Sequence, residues 1–308
     1  MKLYSYDLSS AYPHEASQLL DLRDCDFTPS SSLDLSMYYG FLHGDLYINP
    51  LSDHAYCSPV LTRLLDGQLT NAVGHLSTDF YSLDLIRHVY RYDMGEFKVK
   101  SAWYIHPRGG VHPRLPFQSL MSGLFQQRTQ SPLRSYFVKR VMTGIIGKML
   151  ETRKDKDGNI KYGDLYNPIY HGIILAKVAC RVSEFIIEND ITKEELVHVG
   201  VDGVKTTKYL PHIPPVAGMG QWRRNDPEPT IILSPAGIYT PKRSPQGVSL
   251  PILQAMLEAK PQSSRYSFDG WELDLRTLQA RQNRKYDKLP RTGGALLGEC
   301  YQSEPIEL

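Results

Sequence analysis

The chain has 308 residues, of which 41% are hydrophobic and 22% are charged, and its formal net charge is +2. Such a composition is typical of a soluble globular protein with one large core or two modest ones. The sequence has no apolar run of about 18 residues or more, which argues against a transmembrane helix. It also shows no signal-peptide pattern, so we expect a cytoplasmic protein without a membrane partner. The four cysteines (Cys25, Cys57, Cys180 and Cys300) form no C-x-x-C pair, which argues against structural zinc or a disulfide framework.

The first part of the chain combines polar, loop-like stretches with a few periodic segments. A strand-like run ends at Asp7, and residues 25–75 are rich in Ser, Asp, Tyr and Gly, which predicts a loosely built insertion. Residues 77–92 carry apolar side chains every three or four positions, which predicts a helix. Residues 96–107 alternate between polar and apolar side chains, which predicts a strand.

The middle of the chain predicts helices followed by a hairpin. Residues 116–130 and 131–153 have the pattern of two helices with a short connection, and such a pair is antiparallel. Residues 154–163 contain an Asp-Gly pair and predict a small hairpin or loop. A largely buried helix over 171–190 and a tight hairpin over 195–207 follow. This order of elements predicts an α+β fold around a small sheet.

The charges are unevenly distributed along the chain. Residues 15–93 contain eleven acids and four Lys or Arg, whereas residues 128–161 contain nine Lys or Arg and three acids. Residues 276–291 contain six Lys or Arg and one acid. Two basic segments on a balanced chain fit a protein that binds a polyanion, although two solvated helix faces would give the same charge pattern.

Two isolated carboxylates stand at strand ends. Asp7 follows the first strand, and Asp202 lies at the turn of the 195–207 hairpin. If the two strands are neighbours, the pair can hold two Mg²⁺ ions, because Mg²⁺ needs few protein carboxylates and keeps waters and substrate phosphates. The alternative is that Asp202-Gly203 is only a hairpin turn signal.

The helix pair offers a second cluster. Lys139, Thr143 and Gly147 are four residues apart and share one helix face, and Arg128 lies near the end of the preceding helix. A Lys and an Arg from two helices suit a triphosphate. Gly144 and Gly147 weaken the helix, which fits a flat group that approaches the backbone. The alternative is a surface pair whose glycines allow helix packing.

Three segments together resemble motifs A, B and C of the family B DNA polymerases. "DLSSAYP" (7–13) matches D-x-x-S-x-Y-P, "KRVMTGIIGK" (139–148) is similar to the fingers motif, and "HVGVDGV" (198–204) resembles Y-x-D-T-D-S. A segment near "GIY" (237–239) resembles the K-x-Y motif. The protein-primed polymerases of phages and linear plasmids are the most similar group. The resemblance implies a right-hand polymerase fold with an antiparallel-sheet palm, two-helix fingers and a small thumb.

The resemblance also implies roles for individual residues. The metal ligands would be Asp7, the Leu8 carbonyl and Asp202, with the two acids as catalytic residues. The nucleotide-binding residues would be Ser10, Ala11, Tyr12, Arg128, Lys139 and Thr143. The DNA-binding residues would be Gly144, Gly147, Lys148, Tyr239, Arg284 and Lys285.

The implied reaction is extension of a primer on a DNA template with dNTPs and two Mg²⁺ or Mn²⁺ ions. The domain ranges would be palm 1–24, insertion 25–75, palm 76–114, fingers 115–153, palm 154–243 and thumb 244–308. In the family an exonuclease domain precedes motif A, whereas only six residues precede Asp7 here, so we expect no intrinsic proofreading. Either the chain is a minimal polymerase, or its exonuclease partner is a separate subunit.

Departures from the motifs leave other functions open. Gly200, Ile146 and Gly237 replace motif residues of the family. These changes favour lower fidelity and weaker primer binding, and they are also compatible with a degenerate DNA-binding scaffold that has lost catalysis. Priming on a terminal protein, or de novo priming, would use the same residues as extension.

Overall fold

The computed structural model describes residues 2–63, 69–76, 78–128 and 131–229, together with five short strands between 232 and 282. Beyond Asn225 only the backbone is described. The helices in this part of the chain are α1 (Ala11–Ser17), α2 (Leu83–Arg91), α3 (Gln118–Arg128), α4 (Pro132–Lys148) and α5 (Pro168–Glu188).

The strands follow the same numbering in chain order. They are β1 (Lys2–Leu8), β2 (Cys25–Ser30), β3 (Tyr39–Ile48), β4 (Leu61–Arg63), β5 (Leu69–Asn71), β6 (Gly74–His75), β7 (Asp79–Ser82), β8 (Gly95–Pro107), β9 (Thr152–Lys154), β10 (Ile160–Tyr162), β11 (Leu196–Val199), β12 (Gly203–Thr206), β13 (Trp222–Pro229), β14 (Ile232–Ser234), β15 (Gly237–Tyr239), β16 (Arg265–Phe268), β17 (Trp271–Asp274) and β18 (Gln279–Gln282).

The chain divides into two compact units. The larger comprises Ser5–Thr62 and Leu69–Asp226, and the smaller comprises Met1–Tyr4, Arg63–Gln68 and Pro227–Leu308. In the smaller unit, β14 pairs with β15, and β16, β17 and β18 form an antiparallel meander. Most of the predicted thumb range lies outside the described residues.

Two sheets organise the larger unit. One has the strand order β11-β12-β1-β13, so that strands far apart in the sequence become neighbours. The other has the order β2-β8-β3-β6, with β7 also paired to β3, and all of its pairings are antiparallel. The mixture of helices and antiparallel strands confirms the predicted α+β class.

The expectation of a loosely built segment over 25–75 was wrong for β3. This strand pairs with β8 along its whole length, and Leu42, Leu46 and Ile48 on one of its faces are buried. Gly44 allows the close approach of the two strands, because a Cβ there would overlap the Lys98 carbonyl oxygen. The polar residues that alternate with the apolar ones in β3 made the segment resemble a loop.

The predicted helix over 77–92 begins later than its pattern indicates. Residues 79–82 form β7, which pairs with β3, and the helix starts at Leu83. Ser82 is the N-cap, since its hydroxyl accepts a hydrogen bond from the Asp84 amide. Phe80, counted as part of the apolar helix face, is 66% exposed. Pairing with β3 therefore overrides the helical periodicity at this point.

The other predicted elements are present with shifted ends. The strand over 96–107 corresponds to β8, the helix pair to α3 and α4, and the buried helix to α5. The predicted second helix continued to 153, but 152–154 form β9 of a hairpin with β10 instead. The tight hairpin over 195–207 is β11 and β12.

One apolar cluster joins α1, α3, α4 and α5. Its buried members include Ala16, Met121, Ile146, Met149 and Ile173. The polar groups inside it are satisfied in the way that buried donors and acceptors require. The Tyr170 hydroxyl donates to the Leu20 carbonyl, and the Tyr39 hydroxyl accepts from the Leu20 amide. The cluster thus fixes the helices against the turn that follows β1.

None of the described helices is long and apolar enough to cross a bilayer.

Gly95 provides a test of the β3–β8 pairing. A Cβ at this position would overlap the Tyr47 carbonyl oxygen. Since backbone cannot move aside as a side chain can, we expect Gly95→Ala to lower the free energy of unfolding by about 3 kcal/mol in urea denaturation. Gly109→Ala is the control, because a Cβ there meets nothing within 4 Å. Its expected effect is below about 0.5 kcal/mol, and equal effects of the two changes would contradict the register.

Candidate active site

The structure brings Asp7 and Asp202 together at the same end of the four-stranded sheet. Asp7 lies near the end of β1, and Asp202 lies in the turn that connects β11 to β12, the neighbour of β1. The Leu8 amide donates to the Asp202 carbonyl at 2.8 Å. A Cβ at Gly203 would lie 2.9 Å from the Tyr6 carbonyl oxygen. The Asp-Gly pair is therefore more than a turn signal, because the glycine lets the turn pack directly against β1.

The two carboxylates influence each other electrostatically. Burial raises the pKa of Asp202, and the charge of Asp7 raises it further. The charges of Lys139 and Arg223 act in the opposite direction on the pKa of Asp202. A further cation near the two acids would also reduce the repulsion between their negative charges.

Arg223 of β13 binds Asp7 directly. Its Nε and one terminal nitrogen donate to the same carboxylate oxygen, Oδ2, at 3.0 and 2.7 Å. Both side chains are partly exposed, Arg223 at 38% and Asp7 at 29%. The contact answers a question that the sequence raises, namely what an acid at the end of β1 faces. Asp7 faces the guanidinium group of Arg223.

The alternation of β13 explains why Arg223 faces Asp7. Trp222 stacks on Phe185 with ring centroids 3.9 Å apart, on the side of the sheet that α5 covers. Arg224 donates to the Tyr209 hydroxyl at 2.9 Å. Successive side chains of a strand point to opposite faces, so Arg223 lies on the other face, together with Asp7.

The loop before β13 is fixed to the turn after β1. The Gly220 amide donates to the Ser9 carbonyl at 2.7 Å, and Arg181 donates to the Gly220 carbonyl and to Glu15. Gly220 has a φ of +75°, and a Cβ there would overlap the His14 ring. Only glycine suits both conditions. These contacts determine where β13 begins and hence where Arg223 lies.

The turn between β1 and α1 binds a second arginine. Ser10 has a φ of 50° and a ψ of 46°, and its hydroxyl makes no cap bond to α1. Instead it accepts a hydrogen bond from Arg128 of α3 at 2.7 Å. Burial and the charge of Arg223 lower the pKa of Arg128, whereas the charge of Asp7 raises it. Arg128 therefore belongs to the same charged group as Asp7 and Arg223.

Tyr12 and Ala11 form the apolar side of this turn. Ala11 is 1% exposed, and Tyr12 packs against the clusters on both sides of α1. Burial raises the pKa of Tyr12 to about 12, and the charge of Asp202 contributes to the rise. The Tyr12 ring is thus held beside the carboxylate pair.

The α4 residues lie on an exposed face. Lys139, Thr143, Gly144 and Gly147 are exposed, and a Cβ at either glycine would meet nothing within 4 Å. Helix packing within the described residues therefore does not require these glycines. Thr143 donates its hydroxyl proton back to the Lys139 carbonyl at 2.9 Å.

Some of the predicted site residues have other partners, and some lie outside the described residues. Lys148 forms an ion pair with Glu151 at 2.5 Å. Ile146, which replaces a motif tyrosine, is buried in the apolar cluster and does not face the exposed side. The side chain of Tyr239 and all of Arg284 and Lys285 lie outside the described residues.

Metal binding at this end of the sheet would depend on two carboxylates. Within the described ranges no group of three or more His, Cys, Asp or Glu side chains could hold a metal ion. Leu8 is 1% exposed, and the role of its carbonyl as a ligand stays a prediction.

Sequence reasoning missed Arg223 and the Arg181–Glu15 pair. The sequence contained a signal for Arg223, because "WRRN" places an aromatic side chain that packs on the core next to a charged side chain that cannot pack there. It could be used only with the knowledge that β13 lies beside β1. Glu15 and Arg181 are 166 residues apart, and nothing in either segment indicates the other.

Comparison with known proteins gives a likeness of fold. The sequence matches no protein-family model and no curated protein. The structure is similar to phi29 DNA polymerase in a ternary complex with primer-template DNA and incoming nucleotide substrates, with a TM-score of 0.53 and 12% identity over 74% of this chain and 43% of that chain. An orthorhombic crystal form of the same polymerase gives a TM-score of 0.52, also at 12% identity, with coverage of 74% and 43%.

The complex of that polymerase with single-stranded DNA has a TM-score of 0.51 at 12% identity, and the match covers 74% of this chain and 42% of the other. The match thus spans less than half the length of phi29 DNA polymerase. At this identity the likeness establishes a polymerase-like fold.

The raised pKa of Asp202 predicts a pH-dependent effect on stability. A carboxyl whose pKa is higher in the folded state contributes stability fully below its unfolded pKa, and that contribution is lost as the pH rises through the folded value. We therefore expect Asp202→Asn to increase the free energy of unfolding at about pH 7, and the increase to shrink as the pH falls towards about 4.

Urea denaturation of both proteins across this range measures the effect. Asp53→Asn, at an exposed position, is the control and should show no comparable gain. A gain for Asp202→Asn that grows at low pH would contradict the assigned shift.

Proposed function

We propose that the protein is a DNA-templated DNA polymerase that adds dNTPs to a primer 3′-hydroxyl by two-metal phosphoryl transfer. The observation that carries the proposal is the meeting of Asp7 and Asp202 at one end of the sheet. Arg223 is bonded to Asp7, the charge of Lys139 acts on Asp202, and the charge of Asp7 acts on Arg128. The polymerase-like fold supports the same reaction class. In this assignment the four-stranded sheet is the palm, α3 and α4 are the fingers, and the thumb follows β13.

The carboxylate pair fits divalent cations of the Mg²⁺ or Mn²⁺ type. Such ions accept a few carboxylate oxygens and complete their shells with waters and substrate phosphates, so two acids suffice. Asp7, Asp202 and the Leu8 carbonyl would hold them. When bound, the ions lower the pKa of the attacking hydroxyl and stabilise the charge that develops on the phosphoryl group.

The basic side chains around the acids would bind the triphosphate. Arg128 can form paired hydrogen bonds to phosphate oxygens, and Lys139 supplies a positive charge from the exposed face of α4. Ser10 and Ala11 form the backbone turn beside Arg128, and we place the triphosphate at this turn. Two carboxylates and three cations leave an excess of positive charge for an anionic substrate.

Tyr12 and the glycines of α4 would contact the sugar and the base pair. The Tyr12 ring is held by packing on two sides, so it presents a fixed surface near Asp202. Gly144 and Gly147 leave open space above the helix, which suits the close approach of a flat base pair next to Thr143. We assign DNA contacts to Lys148, Tyr239, Arg284 and Lys285 as well, with salt-sensitive affinity.

In the reaction, these residues mainly orient the reactants. The primer hydroxyl attacks the α-phosphate in line. The new O–P bond forms as the bond between the α- and β-phosphates breaks, pyrophosphate leaves, and the hydroxyl proton passes to solvent. Arg128 and Lys139 hold the β- and γ-phosphates in position, and fixed positive charge compensates the charge on the leaving group. A separate exonuclease subunit or a priming terminal protein is the partner that such an enzyme would use.

Primer extension tests the proposal directly. We expect the wild type with Mg²⁺ or Mn²⁺ to extend a labelled primer on a DNA template. Asp7→Ala and Asp202→Ala should each reduce the rate more than about a hundredfold, because even outer-sphere changes at metal sites cost ten- to a hundredfold. Asp53→Ala should retain activity.

Two results would contradict the proposal. One is wild-type protein that binds DNA but extends no primer with either ion, which would support the scaffold alternative. The other is extension that survives the loss of either acid. Labelled product formed from dNTPs without any primer would instead show that the protein initiates synthesis.

Arg128 and Lys139 provide a separate test of nucleotide binding. We expect Arg128→Ala and Lys139→Ala each to raise the KM for dNTP about tenfold in steady-state primer extension, because each removes a charge-assisted contact to phosphate. Lys193→Ala, an exposed lysine elsewhere, is the control. An unchanged KM in both variants would remove these residues from the nucleotide site.

A further inference from the structure

The Asp7–Arg223 pair lies where the proposed function requires a cation. Both bonds from Arg223 go to Oδ2 of Asp7, and they leave Oδ1 without either bond. A metal ion held by Asp7 would need the negative charge of this carboxylate, which the guanidinium of Arg223 now binds. The guanidinium and the metal ion therefore compete for one carboxylate.

Arg223 has few other places to go within the site. Its charge acts favourably on the Asp202 carboxylate and unfavourably on the Arg128 guanidinium. If metal ions occupy both acids, neither carboxylate remains available to Arg223. The Arg223 side chain is 38% exposed, so water solvates part of the guanidinium once Asp7 is lost, and an anion that binds beside it would replace the lost partner.

We propose that Arg223 acts as an internal counter-ion of Asp7 that metal binding displaces and that a substrate phosphate then accepts. The inference rests on the proposed function, and it makes Arg223 a positioning residue that couples metal binding to phosphate binding. In the contact that the structure shows, the guanidinium reduces the repulsion between the two acids. In the loaded protein the same group binds a phosphate of the primer or of the nucleotide.

Arg224 is a matched control for Arg223. It is the adjacent residue with the same side chain, and it lies on the other face of β13, over the Tyr209 ring with 4.9 Å to the ring centroid. Removing its charge changes the net charge of the protein equally but leaves the Asp7 contact intact. The difference between the two variants therefore reports the contact itself.

Mn²⁺ binding to the free protein, measured by electron paramagnetic resonance, provides the first test. We expect Arg223→Gln to bind Mn²⁺ roughly fivefold more tightly than the wild type, since a partly exposed ion pair no longer opposes the metal. Arg224→Gln should change the affinity less than about twofold, because its charge is screened from the site. Equal affinities for the two variants, or weaker binding by Arg223→Gln, would overturn the proposal.

Coupling to phosphate provides the second test and separates the two sources of phosphate. The affinities for a labelled primer–template duplex and for a fluorescent dNTP analogue are measured with and without Mn²⁺ at constant ionic strength. Mn²⁺ should increase the ligand affinity of the wild type more than that of Arg223→Gln. If Arg223 binds a primer phosphate, the difference appears with the duplex, and if it binds a nucleotide phosphate, the difference appears with the dNTP analogue. Equal gains in both assays would overturn the exchange.

The outcomes distinguish this inference from the polymerase function. Primer extension by the wild type with equal Mn²⁺ affinity in both variants would remove only the role of Arg223. A selective effect of Arg223→Gln in a protein that extends no primer would support the exchange and remove the polymerase function. If neither the wild type nor Arg223→Gln bound Mn²⁺, both would be wrong.

Discussion

The contact between the Asp202 turn and β1 is the constraint on which the site depends. A backbone hydrogen bond at 2.8 Å joins the Leu8 amide to the Asp202 carbonyl, and Gly203 lets the turn approach. Two acids are thus held together by backbone, although their charges repel each other. The fold can retain such a pair because cationic side chains surround it, and Arg223 binds one of the two directly. Holding like charges close together lowers the local stability of the fold, as is common at functional sites.

Local signals were enough to predict several elements and the two strand ends that carry Asp7 and Asp202. Ser131 followed by Pro132 predicts a helix start, and the Ser131 side chain accepts the expected cap bond. Asn167 followed by Pro168 carries the same signal and caps α5, but the predicted helix began only at 171, so this start was missed. The Asp-Gly pair at 202 predicts a tight turn, and the acid at the end of β1 predicts a strand end. In each case the residues within one turn or one strand contain the necessary information.

Contacts between distant segments could not be predicted in this way. Asp79–Ser82 form a strand despite a helical pattern because β3 offers hydrogen bonds to them. Arg223 was missed because its role depends on β13 lying beside β1, more than two hundred residues away in the sequence. Such pairings depend on which strands meet, and a single sequence does not show this. The charge of a side chain can be read locally, but its partner cannot.

The anchoring of α4 limits how the helix pair can move. Ile146 and Met149 fix its C-terminal end in the same apolar cluster as α1, whereas Leu133, Tyr136 and Phe137 near its N-terminal end are more than half exposed. A swing of the entire helix would disturb the cluster that supports Tyr12. Any displacement of α4 would therefore be larger in its outer half than at the end that is fixed beside the turn after β1.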